Sequence, residues 1–252
     1  MLRYRQRPGL ITRTANVDRQ FSPSMIAGLS LWLDANDAGT ITASSGAVSK
    51  WDDKSGNLRH ASQTVAAQKP TTGSATINSK NAISFDGNDA LTLASSIPAG
   101  NLTVFIVSNI TSAAAIRTFV AGSAGSTLIR LNTTTGGIFQ IVRQDQAVIL
   151  SGTTNPSYGT AQLYAFKTTS SLNQIWQNET SDGSNTTNPA YTAALTTIGA
   201  KLSTGTEGML GSIGEILIYN TDVSTADMNS IGDYLAIKWL SGFSSGFSTG
   251  YV

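Results

Sequence analysis

Acidic and amide side chains cluster in three short stretches of the sequence. The stretches hold Asp34, Asn36 and Asp37, then Asp52, Asp53 and Asn57, then Asp86, Asn88 and Asp89. Alternating carboxylate and amide oxygens can chelate calcium, which takes six to eight oxygen ligands. The same residue types also form turns, because Asp and Asn side chains hydrogen-bond their own backbone. We expect turns here and keep a calcium site as the alternative, with ligands Asp34, Asp37, Asp52 and Asp53.

Residues that could catalyse a reaction are few. His60 is the single histidine, and there is no cysteine, so multi-histidine and thiolate metal sites are excluded. A glycosidase of a sandwich fold needs two neighbouring carboxylates. The glutamates Glu179, Glu207 and Glu215 have no acidic residue two or four positions away on a predicted strand, and Glu215 is interpreted as an edge or outward-facing charge. The sequence therefore predicts a protein that is not an enzyme and has no resident cofactor other than the calcium alternative.

Aromatic side chains offer a second kind of chemistry, the stacking of sugar rings. Trp176 lies in an alternating stretch that could turn it outward, and Tyr158 and Tyr191 are followed or preceded by small polar residues. Aromatic rings with a polar end suit sites that are apolar on one side and wet on the other. We expect Trp176, Tyr158 and Tyr191 to be the candidate glycan platform. Trp32, Trp51 and Trp239 are expected to be buried.

The N-terminal segment is strongly basic. Arg3, Arg5, Arg7, Arg13 and Arg19 lie within its first twenty residues, against one acid, Asp18. Its apolar run is too short for the core of a secretory signal. Tyr4 is the single aromatic residue among these arginines, so nucleic-acid binding is the weaker interpretation. We expect an extended arm over residues 1–25 that docks on a partner subunit.

The C-terminal segment, residues 243–252, is a Gly/Ser spacer with regularly spaced aromatic residues. Phe243, Phe247 and Tyr251 recur every four residues. Free in solvent, the three rings would expose an apolar surface of the kind that marks an interaction site. We expect this tail to dock, either on its own subunit or on a neighbouring one.

The elements that position these residues are predominantly strands. Charged residues make up 12% of the chain, about half the usual share, and short apolar runs recur between turn-forming residues. Several runs alternate as half-buried antiparallel strands do, whereas 102–107 and 216–219 are apolar on both faces and predict central strands. The predicted strands cover 29–33, 82–85, 102–107, 127–131, 137–142, 162–166, 172–176 and 212–219.

One helix is predicted near the end of the chain. Ser224 and Asp227 have the spacing of a capping box. Met228, Ile231, Leu235 and Trp239 then follow at intervals of three and four, which places them on one helical face. Gly242 stands where a C-terminal cap glycine is typical.

Five segments occur in an order that is typical of one domain family: LSLWLDA at 29–35, VSKWDDKSGN at 48–57, ISFDGN at 83–88, GEILIY at 214–219 and IGDYLAIKW at 231–239. Over roughly residues 26–242 the chain resembles laminin-G-like and concanavalin A-like domains, which are common in phage structural proteins and bacterial surface proteins. The resemblance implies an all-β fold, an antiparallel two-sheet β-sandwich of the jelly-roll type, with one C-terminal α-helix. Such domains often bind carbohydrate or protein, although fold alone does not fix function.

Two functions follow as expectations. The first is a non-enzymatic phage virion protein that decorates the capsid, with the sandwich displayed outward and the arm docked on a major capsid or tail protein. The second is a glycan-binding adhesin of a tail fibre or a bacterial surface, which would hold a host surface glycan. We expect a homo-oligomer located in the virion or, in the second case, on the extracellular surface. No apolar run in the sequence approaches the ~20 residues that span a bilayer, and nucleic acid is not an expected partner.

Overall fold

A computed structural model describes residues 21–112, 114–123, 127–132, 137–143, 146–186, 193–242 and 246–247. Seventeen strands account for about half of them, and each predicted strand is found within one residue or two of its expected start. The strands are β1 (Leu29–Asp34), β2 (Ile41–Ser44), β3 (Ala47–Trp51), β4 (Ala61–Ser62), β5 (Thr71–Ile77), β6 (Lys80–Asp86), β7 (Leu91–Ile97), β8 (Leu102–Ile110), β9 (Arg117–Gly122), β10 (Thr127–Asn132), β11 (Ile138–Val142), β12 (Val148–Ser151), β13 (Ala161–Thr168), β14 (Asn173–Gln177), β15 (Thr180–Asn185), β16 (Leu195–Ile198) and β17 (Leu210–Tyr219).

The strands form one antiparallel network rather than two separately bonded sheets. From β17, one branch runs through β8, β13 and β14 to β15. The other branch leaves β17 through β6 and ends at β12. The two ends meet, because Thr153 donates to the Asp182 carbonyl at 3.1 Å and Asn185 Nδ2 donates to the Ile149 carbonyl at 2.5 Å. The all-β antiparallel fold is confirmed, and its network closes almost into a barrel.

The centre of the network is β17 with its neighbour β8. Both are buried along nearly their whole length, as the two-faced apolar runs predict. One edge of β17 pairs with β6 over 210–213 and with β1 over 215–219. The pairing with β8 shifts register between Ile213 and Glu215, so Gly214 lies where β17 changes its partner. The two partner strands on this edge, β6 and β1, therefore meet at Gly214.

The core is dominated by aromatic and β-branched side chains from facing strands. Phe139 contacts three other rings, with centroid distances of 5.5 Å to Phe119, 4.6 Å to Tyr164 and 5.2 Å to Phe166. All four residues are at most 2% exposed. Offset and edge-on contacts of this kind add to the free energy that burial alone supplies.

The C-terminal helix forms as its sequence predicts. Helix α1 covers Thr225–Leu235, and Ala236–Leu240 continue it as a π-helical turn. Ser224 Oγ accepts the Asp227 N–H at 3.2 Å, which caps the helix, and it donates to the Asp227 carboxylate at 2.8 Å. The four residues of the predicted apolar face, Met228, Ile231, Leu235 and Trp239, are all buried.

The end of this helix differs from the prediction. Ser241, not Gly242, adopts the left-handed conformation, with φ 55°. Serine tolerates this position because its hydroxyl donates to Asn78 Oδ1 at 2.5 Å. Among the described residues, no helix has the length and apolar character that crossing a membrane requires.

Short 3-10 turns complete the described part of the chain, at Pro23–Met25, Ala38–Thr40 and Ala66–Gln68. The first turn belongs to the last residues of the expected arm. Tyr219 donates its hydroxyl to the Pro23 carbonyl at 3.0 Å, so this stretch is fixed to β17. The arginines of the arm, Arg3, Arg5, Arg7, Arg13 and Arg19, lie outside the described residues.

Candidate functional site

Two carboxylates lie side by side where β1 ends. Asp34 and Glu215 are directly opposite each other in the antiparallel register of β1 and β17. Glu215 is 0% exposed and Asp34 is 4% exposed. The interpretation of Glu215 as an edge or outward-facing charge is therefore wrong, because strands pair with both edges of β17 here and the C-terminal helix covers the face that carries Glu215.

Four donors converge on the Glu215 carboxylate. Its Oε1 accepts Trp32 Nε1–H at 2.7 Å and the Tyr234 hydroxyl at 2.8 Å. Its Oε2 accepts Lys238 Nζ and Trp239 Nε1–H, both at 2.6 Å. A buried charge is tolerated when it is paired and fully hydrogen-bonded, and this carboxylate is both.

Glycine is required next to this carboxylate. A Cβ at Gly214 would lie 2.9 Å from the ring of Trp239, closer than carbon atoms pack. The absence of a side chain lets the helix bring Trp239 down onto β17. The network around Glu215 therefore depends on the close approach of helix and strand.

Lysines connect this carboxylate to the acids of the β1–β2 loop. Lys238 Nζ lies 2.8 Å from Asp34 Oδ1, and Lys54 Nζ lies 3.0 Å from Asp34 Oδ2 and 2.7 Å from Asp37 Oδ2. Burial lowers the pKa of Lys54, but its bonds to the two carboxylates outweigh burial and raise that pKa overall. The hydrogen bond from Lys54 lowers the pKa of Asp37. These acids are neutralised by cations of the chain itself.

The pKa values at the centre of the network move upward. Burial raises the pKa of Glu215, and Lys238 opposes that shift without cancelling it. Burial also raises the pKa of Tyr234, and the neighbouring Glu215 charge adds to the increase. Tyr234 therefore stays a hydrogen-bond donor at all physiological pH values.

An open groove runs over this network. It consists of two adjoining cavities of about 460 and 610 Å³ that share four lining residues. Three partly exposed aromatic rings line it: Phe21, Trp32 and Tyr234. The ring centroids of Phe21 and Tyr234 are 5.8 Å apart, and Lys54 Nζ lies 4.6 Å from the Trp32 ring centroid. Trp32 is thus not fully buried, contrary to expectation, because β1 is an edge strand at this end. We name this site the aromatic groove.

The polar side chains of the aromatic groove differ in how firmly they are held. Asp34, Lys54 and Lys238 are bound within the network. Asn36 is exposed, and Lys80 is partly exposed with no ion pair to any described residue. The groove thus combines fixed rings with free amide and ammonium groups at its rim.

The predicted calcium ligands do not form one site. Asp34 and Asp37 are bonded to lysines, and Asp52 lies 3.0 Å from Lys50 and 2.9 Å from His60. Among the described residues, no group of three or more acidic or histidine side chains is arranged to hold a metal ion.

Asp53 forms turns instead. Its Oδ1 accepts the backbone N–H groups of Trp32 at 3.0 Å and Ser55 at 2.9 Å, and its Oδ2 accepts that of Arg59 at 3.0 Å. This geometry matches the expected turn-forming role, and it ties the β3–β4 loop to β1.

The residues of the expected glycan platform lie apart from one another. Trp176 is 2% exposed, so the outward orientation that its alternating sequence suggested is wrong. Both faces of β14 are covered, and Phe247 packs edge-on against Trp176 at 5.8 Å. Tyr158 is 40% exposed in the loop before β13. Tyr191 lies in a stretch that the structure does not describe.

The described tail residues dock on their own subunit. Phe247 is 5% exposed and also packs edge-on against Phe105 at 5.8 Å. Its N–H donates to Asn229 Oδ1 at 2.8 Å, and the Gly246 N–H donates to Glu179 Oε2 at 3.1 Å. Phe243 and Tyr251, the other two expected anchors, lie outside the described ranges.

Sequence reasoning missed the central role of Glu215. One signal was present, since Glu215 is flanked by Ile213 and by 216–218 in an otherwise apolar strand. A charge in the middle of a two-faced apolar run indicates a buried, partnered group. Its partners could not be found by spacing, because they come from β1 and from the C-terminal helix.

Comparisons with known proteins show which solved structures have a similar fold. No protein-family model matches the chain, and no curated protein matches it. Domain 4 of AbnA, a GH43 extracellular arabinanase from Geobacillus stearothermophilus in complex with arabinotriose, is similar with a TM-score of 0.61. The identity is 14%, and the match covers 81% of this chain and 98% of that domain.

A second similar structure is Trypanosoma rangeli sialidase in complex with sialic acid, with a TM-score of 0.57 and 11% identity. That match covers 84% of this chain but only 33% of the sialidase, so the chain spans about a third of its length. At these identities the similarities establish a shared β-rich fold and nothing about activity.

Proposed function

We propose that this chain is a non-catalytic carbohydrate-binding domain whose glycan lies in the aromatic groove. The observation that carries the proposal is the convergence of Phe21, Trp32 and Tyr234 on one open groove. Trp32 and Tyr234 donate to the same oxygen of Glu215, which fixes the position of both rings before any ligand arrives. Ligand sites are typically concave and largely apolar, with a few placed polar groups. Preorganised rings lower the entropy cost of binding.

The rim of the groove supplies the polar contacts that a sugar needs. Asn36 offers a side-chain amide, and Lys80 offers an ammonium group that no described carboxylate neutralises. Sugar hydroxyls both donate and accept hydrogen bonds, so amide and ammonium groups around a ring face suit them.

The state of the carboxylates supports a non-catalytic role. Most glycosidases use two carboxyl groups at the glycosidic bond, one that protonates the leaving oxygen and one that attacks the anomeric carbon or activates a water. Glu215 is 0% exposed, and Asp34 is bonded to Lys54 and Lys238. Asp233 also lines the groove and is exposed, but among the described residues no second carboxylate of the groove is free to act with it.

The proposal includes the jelly-roll architecture of laminin-G-like and concanavalin A-like domains. The branch from β17 to β15 would form one sheet, and the branch from β7 through β16 and β9 to β12 would form the other. The similarity to an arabinanase domain that holds arabinotriose supports sugar binding as the task of such a fold.

Capsid decoration stays a prediction from the sequence. It depends on Arg3, Arg5, Arg7, Arg13 and Arg19, which lie outside the described ranges, and on a capsid or tail partner. The same holds for the homo-oligomer and for location in the virion or on the extracellular surface. Glycan binding is compatible with each of these.

A glycan array followed by calorimetry tests the proposal. The full chain is applied to an array of neutral and acidic glycans, and the best-retained glycan is titrated against Trp32→Ala, Asn36→Ala and Lys80→Ala. We expect Trp32→Ala to abolish measurable binding. The two rim variants should each weaken binding by about tenfold, the effect of one lost hydrogen bond.

The rim variants protect the test against a folding defect, because Asn36 and Lys80 contribute no side-chain bond to the Glu215 network. Val65→Ala is the matched surface control, since Val65 is 50% exposed and does not line the groove. Equal retention by the wild type and by all three groove variants would show that the glycan binds elsewhere.

A further inference from the structure

A second cavity lies at the seam where the strand network almost closes. It has a volume of about 290 Å³ and lies between the loop that follows β12 and strands β13 to β15. All of its lining residues are polar: Thr154, Asn155, Ser157, Gln162, Gln177, Asn178, Thr180, Ser181 and Asp182. We name this cavity the amide pocket.

The single charge of the amide pocket is satisfied by the protein. Asp182 Oδ1 accepts the backbone N–H groups of Thr153 at 3.0 Å and Thr154 at 2.8 Å. Its Oδ2 accepts Gln177 Nε2–H at 3.0 Å. Asp182 is 4% exposed, so an anionic ligand would meet an unfavourable charge, and a cation would find the carboxylate already bonded.

Two glutamines leave one group each without a protein partner. Gln177 is 7% exposed, and its Nε2 donates to Asp182 and to the Thr154 carbonyl. Its buried Oε1 has no hydrogen-bond partner among the described residues. Gln162 is also 7% exposed, and its Oε1 accepts the Ser157 N–H at 2.6 Å and the Tyr164 hydroxyl at 3.0 Å. Its Nε2 makes no hydrogen bond within the described part of the chain.

Asn178 adds a second donor at the mouth of the pocket. Its Oδ1 accepts the Leu163 N–H at 3.0 Å, which leaves Nδ2 toward no described protein group. The pocket thus presents two donors, Gln162 Nε2 and Asn178 Nδ2, that its own chain does not use.

The walls of the pocket are held in place. The loop after β12 is tied back by the Gly159 N–H, which donates to the Ile110 carbonyl at 2.8 Å, and by the Thr160 N–H, which donates to the Ser157 carbonyl at 3.2 Å. Tyr158, 40% exposed, follows Ser157 in this loop. A fixed cavity lined by hydrogen-bonding groups is suited to a small hydroxylated ligand.

We propose that the amide pocket is a second binding site, for an uncharged sugar residue. The inference rests on the proposed carbohydrate-binding function, and it adds a ligand class and a separate location. Neighbouring hydroxyls of a sugar ring can accept from Gln162 Nε2 and Asn178 Nδ2 at the same time. A neutral ligand avoids repulsion by Asp182, which distinguishes it from an acidic sugar.

The test is an NMR titration of the full chain that follows the side-chain amide signals of Gln162, Gln177 and Asn178. The probes are D-glucose, D-galactose, D-mannose and L-arabinose, with free sialic acid as the charged comparison. We expect at least one neutral sugar to shift all three amide signals and sialic acid to shift none.

Asn178→Asp is the decisive variant, because it keeps the acceptor for Leu163 and replaces the donor with a carboxylate oxygen, and the matched control below introduces the same charge away from the pocket. We expect it to weaken binding about tenfold, the equivalent of one hydrogen bond. Asn78→Asp is the matched control, since Asn78 has φ 48° against 45° for Asn178 in a comparable hairpin turn and does not line the pocket.

The outcomes separate this inference from the proposed function. The second site is supported if Asn178→Asp weakens the sugar-induced shifts of the amide signals while Asn78→Asp and Lys80→Ala leave them unchanged. If no neutral sugar moves the three amide signals while the array still retains a glycan through the aromatic groove, the pocket holds only water and the inference fails alone. Shifts that persist undiminished in Asn178→Asp would also overturn it.

Discussion

Glu215 and Asp182 are both buried carboxylates, and the chain stabilises them in different ways. Glu215 is 0% exposed and is bonded to the ammonium group of Lys238 and to three aromatic donors. Asp182 is 4% exposed and is bonded to neutral donors, which are backbone N–H groups, a threonine hydroxyl and a glutamine amide. The first carboxylate joins a strand to a helix, whereas the second closes the seam of the strand network.

The difference shows how burial and function can be combined. Because the donors of Glu215 are themselves large side chains, fixing the carboxylate also fixes the rings that face the aromatic groove. Because two of the four donors of Asp182 are backbone N–H groups, fewer side chains are engaged there, and Gln162 retains a side-chain amide group at a cavity. The first arrangement yields an aromatic site and the second a polar one.

The largest expected effect is that of Glu215→Gln. The amide nitrogen would face Lys238 and Trp239, both of which are donors, and Lys238 would lose one of its two carboxylate partners. Breaking a buried ion pair lowers the free energy of unfolding by about 3–5 kcal/mol. Urea unfolding followed by tryptophan fluorescence measures the loss. Asp233→Asn, an exposed carboxylate on the same helix, is the control and should leave the urea midpoint unchanged.

A smaller effect is expected for Asp182→Asn. The amide oxygen can still accept from Thr153 and Thr154, so only the bond from Gln177 is replaced by a contact between two donors. We expect a loss of about 1–2 kcal/mol, the range for one disrupted buried hydrogen bond. The same urea experiment compares the two variants. If Asp182→Asn cost as much as Glu215→Gln, the ion pair with Lys238 would not explain the difference between the two sites.

Gly152→Ala tests the seam from its other side. A Cβ at Gly152 would lie 2.0 Å from Asp182 Oδ2, so the carboxylate must move away from Gln177. We expect a loss of about 1–3 kcal/mol, the cost of overpacking. The side-chain amide signals of Gln177 should shift together with stability. Loss of stability without any change at Gln177 would mean that the strain spreads into β15 instead.

The smallest effect concerns Asp89, another buried carboxylate. Unlike Glu215 it is not paired with a lysine, and unlike Asp182 it has a second carboxylate, that of Asp86, beside it. Asp89 is 4% exposed, and burial together with the neighbouring Asp86 raises its pKa from 3.8 to about 6. The backbone N–H of Asp86, which donates to Asp89 at 2.8 Å, opposes this shift without cancelling it. The folded protein therefore binds more protons than the unfolded chain between pH 4 and 6. Relative to Asp89→Asn, the wild-type free energy of unfolding should fall as pH rises through this window and stay level above it. A constant difference from pH 4 to 6 would contradict the raised pKa.

Local sequence patterns predicted most of the secondary structure. Alternation and apolar runs located β8, β13 and β17, and the capping box of Ser224 and Asp227 located the start of the helix. These features depend on interactions between residues that are close in the chain, which is why one sequence suffices. The aromatic spacing of the tail likewise indicated docking, and Phe247 docks.

The sites themselves were decided by tertiary structure. Trp176 is buried because Phe247 and a second set of strands cover β14, which no local alternation can reveal. Glu215 meets Asp34 only because β17 pairs with β1, the first strand of the fold. The amide pocket exists only where β12 and β15 nearly meet.

What the sequence determined by itself was the type and order of the elements and the faces that they bury. Which carboxylates lie together, which rings stay open and where a polar cavity forms depended on strand pairing between distant segments. The physical reason is that hydrophobic periodicity specifies a buried face without specifying its neighbour, whereas hydrogen bonds and ion pairs such as that of Lys238 with Glu215 exist only between specific neighbours.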